Sequence, residues 1–475
     1  MNHIAVIGKM DSATKQDQRP RNDVKVNLLW NEMLEPLLLT LKIVGVYHET
    51  AFDGALKSQG QAEGSGWFPD ADPKPPGSKS WRNGLSRVYH ALVCLYLWLN
   101  AIRMTYAIVL NDGYGIFSLE LITVQVYFYI VSICNTIMFA VCYRNKCMPY
   151  FRRHWNSSVR SLQTRRTHCS LDKTTLNTKD KINENQHKIP VRYNKWAMLL
   201  TVTCSCVTLV NIAGMVFSTF GFGLNPLTSM GICGPWLSEP FCGINLIFTV
   251  YSNAAYAFPG ALFSLVCHNI SLQFENLSEE FDQALNSSHP IDKKTLNCFR
   301  RRHAVICHTV EVADDVFSPF VGVMYLTNIP LIIFLLYQLF YLANGDLIFI
   351  SITLCWVLVC SINVLLPSLF AVQVYEKAHS LRRRVHDLQM DTFDSDLSQV
   401  QLLFLARLDG PEIGMTALGC FVITKERVLA VVSTLITYFT ILLQFQQTTP
   451  TTDITMATTN MTTNIPSVSH TSPEP

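Results

Sequence analysis

Seven long apolar runs separated by charged connections set the pattern of this chain. They lie near Val88–Leu110, Ile116–Cys142, Trp196–Phe222, Ile244–Cys267, Phe317–Leu342, Leu347–Val372 and Val428–Phe445. A membrane helix needs about 20 apolar residues. The last run, at 18 residues, covers about 27 Å at 1.5 Å per residue, just enough for a bilayer core. An eighth run, Leu28–Val46, is interrupted by Glu32, Glu35, Pro36 and Lys42. It is too short to span and predicts a helix lying on the membrane surface or packed beside the bundle. Residues 1–27 are polar and hold no apolar core of a secretory signal, so targeting falls to the first membrane helix.

Composition supports the same class. Of 475 residues, 49% are apolar and 15% charged, with a mean hydropathy of +0.22, whereas soluble chains average about a quarter charged. Lys and Arg are segregated. Ten lie before and at Arg82, thirteen between Tyr143 and Lys195, five after run four and five between run six and Lys425. The turns Asn111–Gly115 and Asn344–Asp346, the loop Gly223–Gly243 and the tail after Phe445 hold none. By the positive-inside rule the amino terminus is cytosolic and the carboxyl terminus extracellular. The expectation is an all-α membrane protein with seven transmembrane helices, resident in the plasma membrane as a multi-pass protein. A G-protein-coupled receptor has the opposite orientation. The last run also lacks Asn-Pro-x-x-Tyr, and Ser218-Thr219-Phe220 at the end of run three is no Asp-Arg-Tyr.

This topology orders the remaining signals. The sequons at Asn156, Asn269, Asn276 and Asn286 fall on the cytosolic side, so only Asn460 is expected to be glycosylated. The tail 446–475 is Thr-rich with Ser and Pro, a composition that builds no core and suits O-glycosylation. Most of the fifteen cysteines lie in helices or cytosolic loops and are expected as reduced, small apolar residues. Cys233 and Cys242 lie in the one substantial extracellular loop and are expected to form a disulfide.

Enzyme chemistry finds no footing. Gly-x-Ser-x-Gly, a Walker loop, His-Glu-x-x-His and the dinucleotide glycine fingerprint are all missing. No catalytic residue, cofactor, metal or nucleic-acid partner is expected. Cys298, His303, Cys307 and His308 could offer a metal two or three ligands, but they read better as surface histidines beside Arg300–Arg302. Cys204 and Cys206 read as packing.

Polar residues inside the apolar runs are more informative. Arg103 and Glu120 lie at similar depth on runs joined by a tight turn. Either they pair and border a water-filled cavity, or Arg103 snorkels and Glu120 is interfacial. Tyr251, Asn253, Tyr256, Tyr337, Gln338 and Trp356 place polar and aromatic groups in the outer half. Interfacial aromatic belts explain some of them; an outward-open ligand pocket explains the amides among them. In run seven, Thr437, Thr440, Ile441 and Gln444 recur at i, i+3, i+4 and i+7 on one face. Such a stripe either bonds other helices or lines water.

The final run closes on Thr437-Tyr438, five mostly apolar residues, then Gln444-Phe445. This resembles the signature of the insect gustatory receptor family, within the gustatory and odorant receptor superfamily. Glu35–Val46 resembles that family's N-terminal helix ending in Gly, and Thr416–Leu429 the run leading into its last helix. The layout of seven helices, the short even-numbered connections and the long second cytosolic loop are similar too. Thr440 makes the motif less apolar than usual, and the Thr-rich tail departs from typical members. The resemblance implies a ligand-gated, non-selective cation channel, a homo- or hetero-tetramer with the last helix lining the pore. Gln444 and Phe445 would form or border the gate. A small-molecule ligand would bind in the outer half of helices two to six, and membrane lipid would surround the whole.

The expected organisation follows. Residues 1–87 form a cytosolic region with a membrane-associated helix near 28–46. Residues 88–268 hold helices one to four with the basic loop 143–195. Residues 269–316 form anchor helices, aided by Leu277, Phe281 and Leu285 at i+4 spacing. Residues 317–372 hold helices five and six, 373–427 a cytosolic loop and the first part of helix seven, 428–445 the pore helix and 446–475 the tail. A non-conducting relative with a structural or developmental role, and a metabotropic receptor, are the other readings.

Overall fold

The structure is a computed structural model, and it describes residues 30–47, 80–110, 119–144, 147–169, 195–220, 239–286, 291–341, 347–388 and 395–447. In chain order the elements are α1 (Trp30–Ile43), α2 (Ser80–Leu110), α3 (Leu119–Tyr143), α4 (Met148–Cys169), α5 (Lys195–Phe220), α6 (Glu239–Leu285), α7 (Lys293–Tyr341), α8 (Leu347–His379), α9 (Leu381–His386) and α10 (Ser395–Leu408). Strands β1 (Thr416–Ala417) and β2 (Phe421–Val422) then lead to α11 (Lys425–Gln447). Each of the seven apolar runs therefore lies largely within a helix.

Among the described residues, five helices are long and apolar enough to cross a membrane: α2, α3, α6, α7 and α8. The two short of that measure have visible reasons. In α5 the shorter apolar stretch Ala197–Val210 stands out instead. In α11, Ser433, Thr434, Thr437, Thr440 and Gln444 dilute the apolar residues. The outward face of α2 carries Leu85, Val88, Leu92, Leu95, Leu99, Ile102, Tyr106 and Val109, all more than half exposed. An apolar stripe of that length facing water would be an aggregation surface; facing lipid it is at no cost.

α6 and α7 run far beyond their apolar parts. Their 47 and 49 residues span about 70 Å at 1.5 Å per residue, against about 30 Å of hydrocarbon. Nothing breaks either helix at the change in polarity. Pro259, Pro319, Pro330 and Pro367 lie inside α6, α7 and α8, where neighbouring helices let a membrane helix tolerate the lost hydrogen bond. Gly260 of α6 lies against Pro367 of α8, its would-be Cβ 3.7 Å from the ring.

At their charged ends the long helices build a second core. Leu277, Phe281, Phe299, Ile306 and Val310 are buried there with Phe404 of α10. Leu285 is 36% exposed, so the expected i+4 seam stops at Phe281, one turn short of the end of α6. Arg302 reaches Glu280 at 2.6 Å within this core, while Lys377–Glu275 and Arg384–Asp282 tie α6 to α8 and α9 nearer the surface.

In α1, the helix of the eighth run, one face packs against the bundle while Leu39 and Ile43 are exposed. Trp30, Leu34, Leu37 and Leu41 of α1 are fully buried, and the Trp30 ring meets Phe151 and Trp155 of α4 edge-on at 5.4 and 6.4 Å. Gly45 ends the helix at φ +68°, its would-be Cβ 2.6 Å from Val93. Both facts require glycine there.

The chain is not wholly helical. β1 and β2 pair antiparallel, Thr416 opposite Val422 and Ala417 opposite Phe421. Leu418 and Gly419 both adopt positive φ, +54° and +70°, which tightens the connection as in hairpin turns.

Candidate functional site

Two places hold the residues singled out by the sequence. The first is an aromatic and amide cluster between α3, α6, α7 and α8. Tyr127 of α3 is its centre: its ring lies edge-on to Trp356 at 5.0 Å and to Tyr256 at 5.4 Å. Its hydroxyl donates to Asn253 Oδ1 at 3.2 Å. The Tyr256 hydroxyl donates to Asn328 Oδ1 of α7, and Asn328 Nδ2 donates to the Met324 carbonyl at 2.9 Å. Further along α3, Gln338 donates to the Thr123 hydroxyl at 2.7 Å. Amides in an apolar bundle must be bonded, and here the bonds run between helices.

So the structure gathers Trp356, Tyr256 and Asn253, with Gln338 on the same α3 partner helix. Tyr251 points instead to α2, where its hydroxyl lies 2.8 Å from that of Tyr89, which donates to the Ile43 carbonyl. Tyr337 is half-buried on α7. Arg103 donates to Asn100 Oδ1 at 2.9 Å. The side chain of Glu120 lies outside the described residues, as do Cys233, the side chain of Cys242, and Asn460; the pairing, disulfide and glycan expected there are proposals. Sequence reasoning missed Tyr127 and Asn328. Asn328 sits two residues before Pro330 in an apolar run, a polar signal of the kind that marked Asn253. Tyr127 had no such mark among the Tyr and Phe residues of α3. The Gln125 Oε1 and Ser252 Oγ atoms are buried with no hydrogen-bond partner among the described residues.

The second place is α11. Val428, Val431, Val432, Leu435, Ile436 and Phe439 face α7 and α8 across an apolar cavity of about 220 Å³. The Tyr325 and Ser368 hydroxyls on its wall bond each other. Thr437, Thr440, Ile441 and Gln444 are exposed on the roughly opposite face. The Thr437 and Thr440 hydroxyls fold back on the Ser433 and Ile436 carbonyls at 2.9 and 2.8 Å. Tyr438 is also exposed. Phe445 lies in the helix, its side chain outside the described residues.

Comparison with known proteins adds to this geometry. Residues 260–449 match the sequence model of the 7tm Chemosensory receptor family. The carboxyl-terminal part of the chain is therefore similar to that family. No curated protein sequence matches this chain. Its fold is similar to that of the insect olfactory receptor OR5 from Machilis hrabei, with a TM-score of 0.54 at 15% identity over 87% of this chain and 98% of that one. The same receptor in complex with eugenol gives 0.55 at 14% identity over the same shares. The family match covers α7, α8, the hairpin and α11, the helix that carries the exposed Thr/Gln stripe.

Other expectations need correction. His303 is not a surface histidine. It is fully buried, its Nε2 is 3.0 Å from the Ala378 carbonyl, and its ring lies against Phe274 and Phe404. Leu296, Phe299, His303, Cys307 and Val310 form one buried face at i+3 and i+4 spacing; Arg300 and Arg301 lie off it. Cys298, expected as a thiol, is disulfide-bonded. His308 is half-buried and pairs with Glu311. Among the described residues no three His, Cys, Asp or Glu side chains gather as metal ligands. The Asn269 side chain is buried and donates to the Leu265 carbonyl at 2.7 Å.

Burial pushes His303 down to about 4, against a raising hydrogen bond to Ala378, and pushes His154 down to about 4, helped by neighbouring His308. Both lie beyond the apolar spans. The unfolded imidazole takes a proton near pH 6.5 and the folded one only near 4, so the unfolded state binds more protons between these values. Stability should therefore fall as pH drops from about 6.5 to about 4, with His303 contributing about 3 kcal/mol of the loss. Melting of the solubilised protein across that range checks this, and His303→Asn should flatten the slope.

Proposed function

We propose that this chain is a member of the insect chemoreceptor superfamily and a ligand-gated, non-selective cation channel of gustatory-receptor type, assembled from four copies in the plasma membrane. Seven helices span the bilayer (α2, α3, α5, α6, α7, α8 and α11), with the amino terminus cytosolic and the carboxyl terminus outside. The charge segregation supports that orientation. The charged ends of α6 and α7, with α10, serve as the anchor holding the subunits together.

One observation carries the reading. α11 packs on α7 and α8 through an apolar face and turns Thr437, Thr440, Ile441 and Gln444 away from its own subunit. The Thr437 and Thr440 hydroxyls bond their own helix, so Gln444 is the residue of this face that hydrocarbon suits least. Around a four-fold axis the same stripe lines water, and Gln444 offers amide dipoles to passing cations. Phe445, repeated four times beside it, makes a dewetting constriction that gates. The ligand is a small molecule held by the Tyr127, Tyr256 and Trp356 rings and oriented by Asn253; OR5, similar in fold, is described in complex with eugenol.

The experiment is whole-cell recording from cells expressing only this chain, challenged with a panel of sugars, bitter compounds and small aromatic molecules. The reading expects a cation current evoked by at least one class. Surface-expressed protein that conducts under no ligand favours the non-conducting relative.

A further inference from the structure

The hairpin before α11 is fastened to α7 over three successive turns. Asp314 receives the Thr416 N–H at Oδ1 (2.6 Å) and the Thr416 hydroxyl at Oδ2 (2.7 Å). One turn on, the Ser318 hydroxyl lies 2.9 Å from Thr416 Oγ1 and accepts the Gly419 N–H at 2.8 Å. With the Thr416 proton given to Asp314, the Ser318 hydroxyl donates to Thr416. The Ser318 carbonyl accepts the Leu418 N–H at 3.1 Å. Another turn on, Gly322 makes a notch that Leu418 fills: a Cβ at Gly322 would fall 2.1 Å from Leu418 Cγ. Phe421 then meets Tyr325 edge-on at 6.2 Å.

Leu418 adopts φ +54° to do this, a conformation that a bulky side chain rarely holds. Such strain persists where surrounding structure over-determines it. Its neighbour Gly419, at φ +70°, has open space around its would-be Cβ. The large side chain is thus at the position facing α7, and the small one faces away.

The other end of the hairpin is equally fixed to α11. The Ile423 N–H donates to the Met415 carbonyl at 2.8 Å. Arg427, in the first turn of α11, donates to the Val422 carbonyl at 2.8 Å and to Glu412 at 3.0 Å. Thr424 accepts the Val428 N–H at its carbonyl at 3.0 Å. Further along, α11 meets α7 and α8 through its apolar side chains, around the cavity and at Phe439, whose ring lies 5.2 Å from that of Phe340. The directional hydrogen bonds that fix its position and rotation are those at its base.

We propose that the 416–422 hairpin is a rigid joint that sets the position and rotation of α11 on α7. Asp314, Ser318, Gly322 and Leu418 act as positioning residues. The joint stays closed as the receptor works, so a shift of α7 turns the Thr/Gln stripe with it. The consequence for gating rests on the channel reading above; the joint itself does not.

The test uses full-length protein in lipid nanodiscs. Gly322→Ala should strike Leu418 and unseat it. Hydrogen exchange at the amides of 425–435 should rise at least tenfold, with α3 and the membrane part of α6 as protected as in the parent. The double variant Gly322→Ala with Leu418→Gly removes the clash and should restore parental exchange. Ser318→Ala, which leaves the notch intact, should give a smaller rise in the same segment and serves if Gly322→Ala does not fold. Unchanged exchange in 425–435 for Ser318→Ala and Gly322→Ala overturns the joint, as does a loss of protection spread evenly over the molecule. Current is recorded separately from the same variants. Altered exchange in a parent that never conducts keeps the joint and removes the channel; parental exchange in a variant of a conducting parent does the reverse.

Discussion

Replacing Arg302 with Ala should destabilise the charged ends of α6 and α7 by about 3 kcal/mol, because it leaves Glu280 as a largely buried charge without its partner. The pair is close, 2.6 Å between Arg302 Nη1 and Glu280 Oε2, with the side chains 7% and 18% exposed. The Arg302 guanidinium also lies 5.8 Å from the Phe299 ring centre, so the substitution removes packing as well as charge. Thermal melting of the solubilised protein reads the loss. The double variant Arg302→Met with Glu280→Gln should recover most of it, since a buried pair replaced by neutral groups of similar volume costs little. A single variant that melts like the parent would remove this pair from the account of the second core.

A large effect on ligand response is expected at the aromatic cluster. Trp356→Ala should shift the agonist dose–response at least tenfold, about 1.4 kcal/mol, with surface abundance intact. Tyr256→Phe keeps the ring but removes the hydroxyl that bonds Asn328. It should shift the response less, because losing the hydrogen bond to Asn328 Oδ1 costs about 1–3 kcal/mol in free and bound states alike. Dose–response curves matching the parent for both variants would move the ligand elsewhere.

The long helices were legible because a span through lipid demands a long uncharged run, and each run lies largely within one helix; five of these helices are long and apolar enough to cross among the described residues. The extension of α6 and α7 was legible only as separate anchor helices. Polarity changes near His268 and Phe317 but no residue there stops a helix, and the structure continues both without a break. His303 was misread because its neighbours Arg300–Arg302 suggested surface, whereas the i+3 and i+4 spacing through Phe299 and Cys307 pointed inward. The hairpin was hidden because its turn uses Leu418, a residue that carries no turn signal, and the reason for it lies a hundred residues away at Gly322. Tyr127 was missed since an aromatic among aromatics has no distinguishing pattern until a neighbour such as Asn253 is placed beside it. The stripe on α11 was legible from spacing; which way it faced was not, since that depends on which residues pack against α7 and α8.

The measurement that bears most directly on the account is recording from purified protein in planar bilayers, comparing the parent with Phe445→Ala and Gln444→Ala. The account predicts cation current from the parent. Phe445→Ala should leave tetramers intact by size-exclusion light scattering and raise basal current, because the dewetting ring is gone. Gln444→Ala should alter unitary conductance or cation selectivity. Two variants that assemble and conduct like the parent would contradict the placement of α11 at the pore. Variants that no longer assemble would show Gln444 and Phe445 holding helices together instead.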